Sequence, residues 1–281
     1  MNGSHAMNTD SDSRAFTGKW SNGKKEGRGV YKYANGDVYD GDWKNDKFDG
    51  HGVLRYADGD IYDGDWKGGK KDGHGVLKYA RGDVYDGFWV DDEKEGRGLC
   101  QYASGNLYDG DWKDGSCDGR GIFKYNNGDV YDGDWKDGKK EGHGVYTYED
   151  GDVYDGDWKC GNCDGRGVFK YINGDYYDGE WINDKKEGRG QLKYANGDVY
   201  EGDWKDDKKE GGGVYAYVNG DVYDGDWRNG VQVAAVHASL PAAPDASFPA
   251  APDASLLVTP DAFLLAPPDA CLPAAPDSQV R

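Results

Sequence analysis

The sequence predicts an all-β fold: an elongated, single-layer, twisted antiparallel sheet of consecutive β-hairpins. Three observations lead there. The ten tryptophans stand at 20, 43, 66, 89, 112, 135, 158, 181, 204 and 227, so every gap is 23 residues. Within each period, two short runs rich in Val and aromatic residues flank a turn ending in Gly, often Asn-Gly or Asp-Gly, a strong hairpin signal. No helical periodicity or helix-length segment occurs between the first and last tryptophan. A fixed step of roughly 20–50 residues marks a repeat array, which grows by stacking units and needs no single large core.

The elements follow in order. Residues 1–13 include the tag-like "GSHAM" at 3–7 and stand outside the fold. Phe16–Trp20 reads as one degenerate opening strand, suited to an N-terminal cap. Each full unit then reads like Gly27–Trp43, GRGVYKYANGDVYDGDW, with runs at Val30–Tyr33 and Val38–Trp43 and Ala34-Asn35-Gly36 between them. A two-residue loop would pair Ala34 with Asp37 and scatter the rings over both faces. A three-residue loop, with Gly36 left-handed, pairs Tyr33 with Asp37. It then sets Tyr31 opposite Tyr39, Gly29 opposite Gly41 and Gly27 opposite Trp43. All these rings and glycines then share one face, while Val30, Lys32, Val38, Asp40 and Asp42 share the other. A one-residue slip flips a whole strand, so the register that sorts the faces is expected. It lets each ring lie over bare glycine backbone.

The same register sets Arg28 opposite Asp42, His51 opposite Asp65, Arg120 opposite Asp134, His143 opposite Asp157 and Arg189 opposite Asp203. One pair departs: His74 faces Phe88. Nine Gly-x-Gly strands, nine Tyr-x-Gly-x-Trp strands and the opening strand make nineteen, spanning roughly 90 Å at about 4.8 Å spacing. The second connection, such as 44–49, has no register that the sequence dictates. The array covers 14–231. Residues 232–281 form a Pro/Ala/Asp-rich tail, with all 9 prolines after residue 240 and five in-phase octads (SLPAAPDA, SFPAAPDA, SLLVTPDA, FLLAPPDA, CLPAAPDS). Its proline density forbids regular helix or central strand, and a disordered or extended segment is expected.

The formal charge of −19 argues against nucleic acid, whose binders show a basic face. No apolar run reaches membrane-spanning length and no secretory leader is expected. Five sparse cysteines do not resemble a disulfide framework, so a reducing, cytoplasmic setting is expected. The array histidines His51, His74 and His143 share one repeat position with Arg, which cannot serve as a general base. Carboxylates such as Asp37, Asp40 and Asp42 recur in nearly every unit and read as a solvated face and turn caps. Cys160-Gly-Asn-Cys163 has C-x-x-C spacing, but a closed zinc site wants four ligands and loop substitution accounts for the pair. No catalytic residue, metal site or cofactor is expected.

The block YDGDWKDGKKEGHGVYTYEDGDVYDGDW at 131–158 closely resembles the MORN repeat: Tyr-acid-Gly-acid-Trp, an Asn/Asp-Gly-Lys loop, then Gly-His/Arg-Gly. The resemblance covers about 16–230 and departs from the pattern at Phe88 and Gln191. It implies a non-catalytic hairpin array with a groove, scaffolding at membranes or cytoskeletal structures, partner-peptide binding and dimerisation.

The aromatic face is the feature that calls for a function. A nine-unit stripe of rings, each of about 150–250 Å², should expose more than the few hundred Å² usual for a monomer. The expected partner-binding groove comprises Tyr85, Trp89, Tyr108, Trp112, Tyr125, Tyr131, Trp135, Tyr146, Tyr148, Tyr154, Trp158, Tyr171, Tyr177 and Trp181. Its expected occupant is a protein or peptide partner, a second copy, or the tail with Leu240, Phe248, Leu256, Leu264 and Leu272 as anchors. Two other readings stand beside this one: a membrane-associated module that recognises anionic phospholipid, and a regulatory fragment of an enzyme whose catalytic domain lies in another chain.

Overall fold

A computed structural model describes residues 15–233 as one twenty-stranded sheet in which every strand pairs antiparallel with its neighbours in sequence. From β2 (Lys24–Lys32) to β19 (Val222–Arg228), nine-residue strands alternate with seven-residue strands. The opening is less regular than expected. β1 spans only Lys19–Ser21, and Phe16 makes an isolated bridge to Tyr31. A two-residue strand, β20 (Val231–Gln232), follows β19 and was not foreseen. The tag-like N-terminus and the octad tail lie outside the described residues.

The three-residue hairpin loop is present in every unit. Between β2 and β3 (Val38–Lys44), Tyr33 N donates to Asp37 O at 2.9 Å, Gly36 takes φ 103°, and Tyr31, Gly29 and Gly27 face Tyr39, Gly41 and Trp43. The second connection is a two-residue turn. Asn45 and Asp46 have φ 51° and 68°, and Lys44 and Trp43 face Lys47 and Phe48 of β4 (Lys47–Arg55). Two consecutive left-handed residues match the right-handed strand twist, and Asn, Asp and Gly tolerate them best.

Beyond this turn the register shifts, so that Gly41 faces Gly52. The surplus residues of β4 form a bulge around Gly50, whose φ is 111°, and His51 N donates to the Asp42 carboxylate at 3.3 Å. The two glycines of Gly-x-Gly therefore serve different needs, where the sequence alone suggested one. The first supplies the positive φ of the bulge. The second lets a ring lie flat: a Cβ on Gly52 would stand 2.6 Å from Tyr39 Cε2.

The core needs no second layer. Tyr131 is fully buried and lies edge-on between Trp135 of its own strand and Trp158 of the next unit, at 5.2 Å from each. Its hydroxyl donates to Asp134 O at 2.9 Å, and Trp135 Nε1 donates to Gly121 O at 3.1 Å. Edge-to-face pairs of this kind contribute about 0.5–1.5 kcal/mol beyond their area. Phe16 starts the ladder, buried edge-on against Trp20 and Trp43 at 5.4 Å from each.

Carboxylates staple one unit to the next. Asp129 Oδ1 accepts from Glu149 N, twenty residues on, at 2.8 Å, and its Oδ2 accepts from Asn127 Nδ2 at 2.9 Å. Asp37, Asp60, Asp83, Asp152, Asp175 and Asp198 accept from the corresponding amide of the next hairpin loop. The recurring "DVYDGDW" is thus a building element: its first Asp links loops, its Tyr and Trp pack, and its last Asp holds the bulge.

Candidate functional site

Of the fourteen expected groove residues, eleven are buried: Tyr85, Trp89, Tyr108, Trp112, Tyr131, Trp135, Tyr146, Tyr154, Trp158, Tyr177 and Trp181. The expectation of a wide open aromatic stripe is corrected here. Bare glycine rows let the tyrosines lie down on the backbone, and each tryptophan then covers the gap to the next unit. Tyr125, Tyr148 and Tyr171 are half-buried against this core. They belong to a row that recurs every 23 residues through Tyr33, Tyr56, Tyr102 and Tyr194, with Tyr79 sunk deeper at 9% exposure. The structure thus brings the fourteen residues together as a packed floor with a tyrosine rim. Neighbouring rings run on along it: Tyr125 lies 5.8 Å from Tyr146, Tyr146 4.6 Å from Tyr148, and Tyr148 5.8 Å from Phe169.

The sequence reading missed the lysines of this face. Lys140 is only 5% exposed, with Nζ 4.5 Å from the ring centroids of both Tyr146 and Trp158. Lys71, Lys94 and Lys186 are buried in the corresponding cages. A cation over an aromatic face gains about 0.5–2 kcal/mol. The signal was visible: five residues after each tryptophan up to Trp204 stands Lys, replaced by Phe48, Cys117 and Cys163. All of these can occupy an apolar, electron-rich slot, with Lys adding charge where ring faces surround it.

Electrostatics keep the face chemically quiet. Burial is the main cause that drives the phenols of Tyr131, Tyr148 and Tyr154 far above the ordinary tyrosine range, and that of Tyr200 up to about 12. They remain neutral hydrogen-bond donors. Burial likewise pushes the Cys163 thiol well up, while Cys160 is exposed on a left-handed turn with φ 51°. Among the described residues, no three His, Cys, Asp or Glu side chains are grouped to hold a metal ion. Among the described residues, no helix is long and apolar enough to cross a membrane.

The opposite face carries the expected charge ladder in the expected register: Arg120 faces Asp134, His143 faces Asp157, and His74 faces Phe88. The closest contact is diagonal. Arg120 Nη2 lies 3.0 Å from Asp132, against 3.6 Å from Nη1 to Asp134, and His51 Nε2 lies 3.2 Å from Asp63. These side chains are about half exposed or more, so such pairs contribute at most about 1 kcal/mol each.

Solved structures with a resembling sheet include the TCP10 domain of Danio rerio CPAP in complex with a peptide of Danio rerio STIL. It is 13% identical, the match covers 75% of this chain and 99% of that one, and the TM-score is 0.43. The E1021V mutant of the same domain gives 13% identity, coverage of 70% and 92%, and a TM-score of 0.41. Selenomethionine-substituted virginiamycin B lyase from Staphylococcus aureus gives 10%, 71%, 83% and 0.15. Likenesses of this size carry no functional argument. No curated protein matches the sequence significantly. The MORN repeat family model, by contrast, matches nine consecutive 23-residue segments from 16–38 to 200–222 and a partial one at 223–233. These segments join the hairpins into one unbroken array, and the chain belongs to the MORN repeat family.

Proposed function

We propose that the chain is a non-catalytic interaction scaffold that holds an extended peptide or protein segment along the tyrosine rim. The observation that carries this reading is the row of half-buried tyrosines Tyr125, Tyr148 and Tyr171, set at one position of successive units over a packed floor. A rigid floor reduces the ordering cost of binding, and tyrosine offers an apolar body with a polar tip. Equivalent positions recur every second strand, at about 9–10 Å. That is roughly three residues of an extended chain, so a ligand presenting a contact at every third residue suits the row. The buried tryptophans and Tyr131, Tyr154 and Tyr177 act as its support. A cytoplasmic place at cytoskeletal or membrane-associated structures, and pairing with a second copy, belong to this reading on the strength of the family alone.

Selection of peptides from a random display library against the full chain tests it. Selected peptides should lose at least tenfold in affinity against a Tyr125→Ser, Tyr148→Ser, Tyr171→Ser variant whose tryptophan fluorescence shows an intact floor. Peptides that bind parent and variant alike would sink the assignment of the rim.

A further inference from the structure

The charged face has one interruption, in β7 (Val84–Val90). The flanking units place Asp65 and Asp111 immediately before their tryptophans and Lys67 and Lys113 immediately after, where β7 has Phe88 and Val90. Alternate residues of a strand share a face, so both apolar side chains point away from the ring core. Phe88 is 51% exposed and Val90 50% exposed. Val90 has a counterpart in Ile182. Phe88 has none.

Phe88 costs the sheet something. Asp65 accepts a hydrogen bond from His74 N at 3.2 Å and Asp111 from Arg120 N at 3.1 Å, which anchors the bulge of the next strand. A phenyl ring cannot accept the equivalent bond from Arg97. It also places a large apolar ring in water, touched edge-on by His74 with centroids 5.5 Å apart. A local rule broken without structural compensation points to function.

We propose that Phe88 and Val90 form a docking point for a cationic partner segment that carries an apolar anchor. Charge selects this occupant. In β8 (Glu93–Gln101), Glu95 faces Phe88 and Glu93 faces Val90. The nearby basic side chains are already engaged, with His74 Nε2 3.1 Å from Asp86 and Arg97 Nη2 2.9 Å from Asp109. An incoming Lys or Arg therefore meets carboxylates, and its apolar neighbour meets the two exposed side chains. The chain's own tail brings an Asp in every octad, and a second copy brings the same acidic face, so both are repelled where a basic segment is drawn in.

The test compares the full chain with a Phe88→Asp, Val90→Lys variant, which restores the neighbouring pattern and keeps the net charge. The probes are a nine-residue alternating Lys-Leu peptide and nona-lysine, both fluorescently labelled. The variant should melt no lower than the parent, because the carboxylate that anchors the bulge is restored. It should bind the Lys-Leu peptide at least tenfold more weakly, with under twofold change for nona-lysine. The rim variant Tyr125→Ser, Tyr148→Ser, Tyr171→Ser should bind as the parent does, which separates this site from the rim. Equal binding of the Lys-Leu peptide by parent and variant, or no measurable binding by the parent, overturns the proposal. So does parent self-association in sedimentation that the variant loses, which would make the occupant a second copy.

Discussion

Replacing Gly133 by Ala tests the packing account most directly. Gly133 lies in β11 (Val130–Lys136) beneath the ring of Tyr131. A Cβ there would stand 2.5 Å from Tyr131 Cζ and 2.6 Å from Gly144 Cα, where ordinary contact begins near 3.4 Å. The ring is pinned between two tryptophans and the facing strand is backbone, so neither side yields cheaply. Forcing a methyl into a filled core costs about 1–3 kcal/mol. Displacing Tyr131 Oη from Asp134 O forfeits about 1 kcal/mol more. Alanine recovers about 0.4–1 kcal/mol by stiffening the unfolded chain. The net loss is about 2 kcal/mol. Gly68→Ala is the control: its φ is +60° and nothing lies within 4 Å, so it meets only the left-handed penalty of roughly 1–2 kcal/mol, offset by the same recovery. Urea unfolding followed by tryptophan fluorescence, with parent and both variants side by side, measures the difference. Gly133→Ala proving no worse than Gly68→Ala would refute the idea that these glycines exist to seat rings.

Four further outcomes are expected. Asp129→Ala removes the acceptor of Glu149 N and of Tyr146 Oη (2.7 Å); the loss should be about 2–3 kcal/mol, with hydrogen exchange at Glu149 speeding up before that of remote amides. Lys140→Phe should change stability by less than about 1 kcal/mol, since Phe48 fills the same slot elsewhere, whereas Lys140→Glu sets an anion against ring faces and should cost about 2 kcal/mol or more by thermal and chemical melts. The amide of Val218 holds the Asp198 carboxyl below its ordinary 3.8, helped by Asn196 and Tyr215; a depressed folded value means stability present above pH 3.8 and lost as pH falls through the folded value, so Val218 protection should drop only in that acid range. Iodoacetamide at mildly alkaline pH should modify Cys160 and spare Cys100, Cys117 and Cys163 in the folded protein; mass mapping that finds Cys163 modified as fast as Cys160 would contradict its burial.

The unbroken 23-residue step, the Asn-Gly type of turn and the sorting of Tyr, Trp and Gly onto one face were enough to derive the hairpin, its three-residue loop and its register. They suffice because a strand alternates faces with period two and a loop's length sets which residues meet. Local chemistry therefore carries that part of the architecture, down to His74 facing Phe88. The second connection was beyond it: Lys44–Asp49 admits several pairings, and the bulge at Gly50 depends on a hydrogen bond from His51 to Asp42, nine residues back. The links from Asp129 to Glu149, and Lys140 among rings of both its own and the next unit, join residues that pattern alone does not bring together. Exposure was decided last of all. Alternation says which face a ring is on, but whether Tyr131 is open or fully buried depends on the neighbouring tryptophans closing over it. For that reason the sequence pointed to the aromatic face as a whole, and only the assembled sheet separates a buried floor from the accessible rim of Tyr125, Tyr148 and Tyr171.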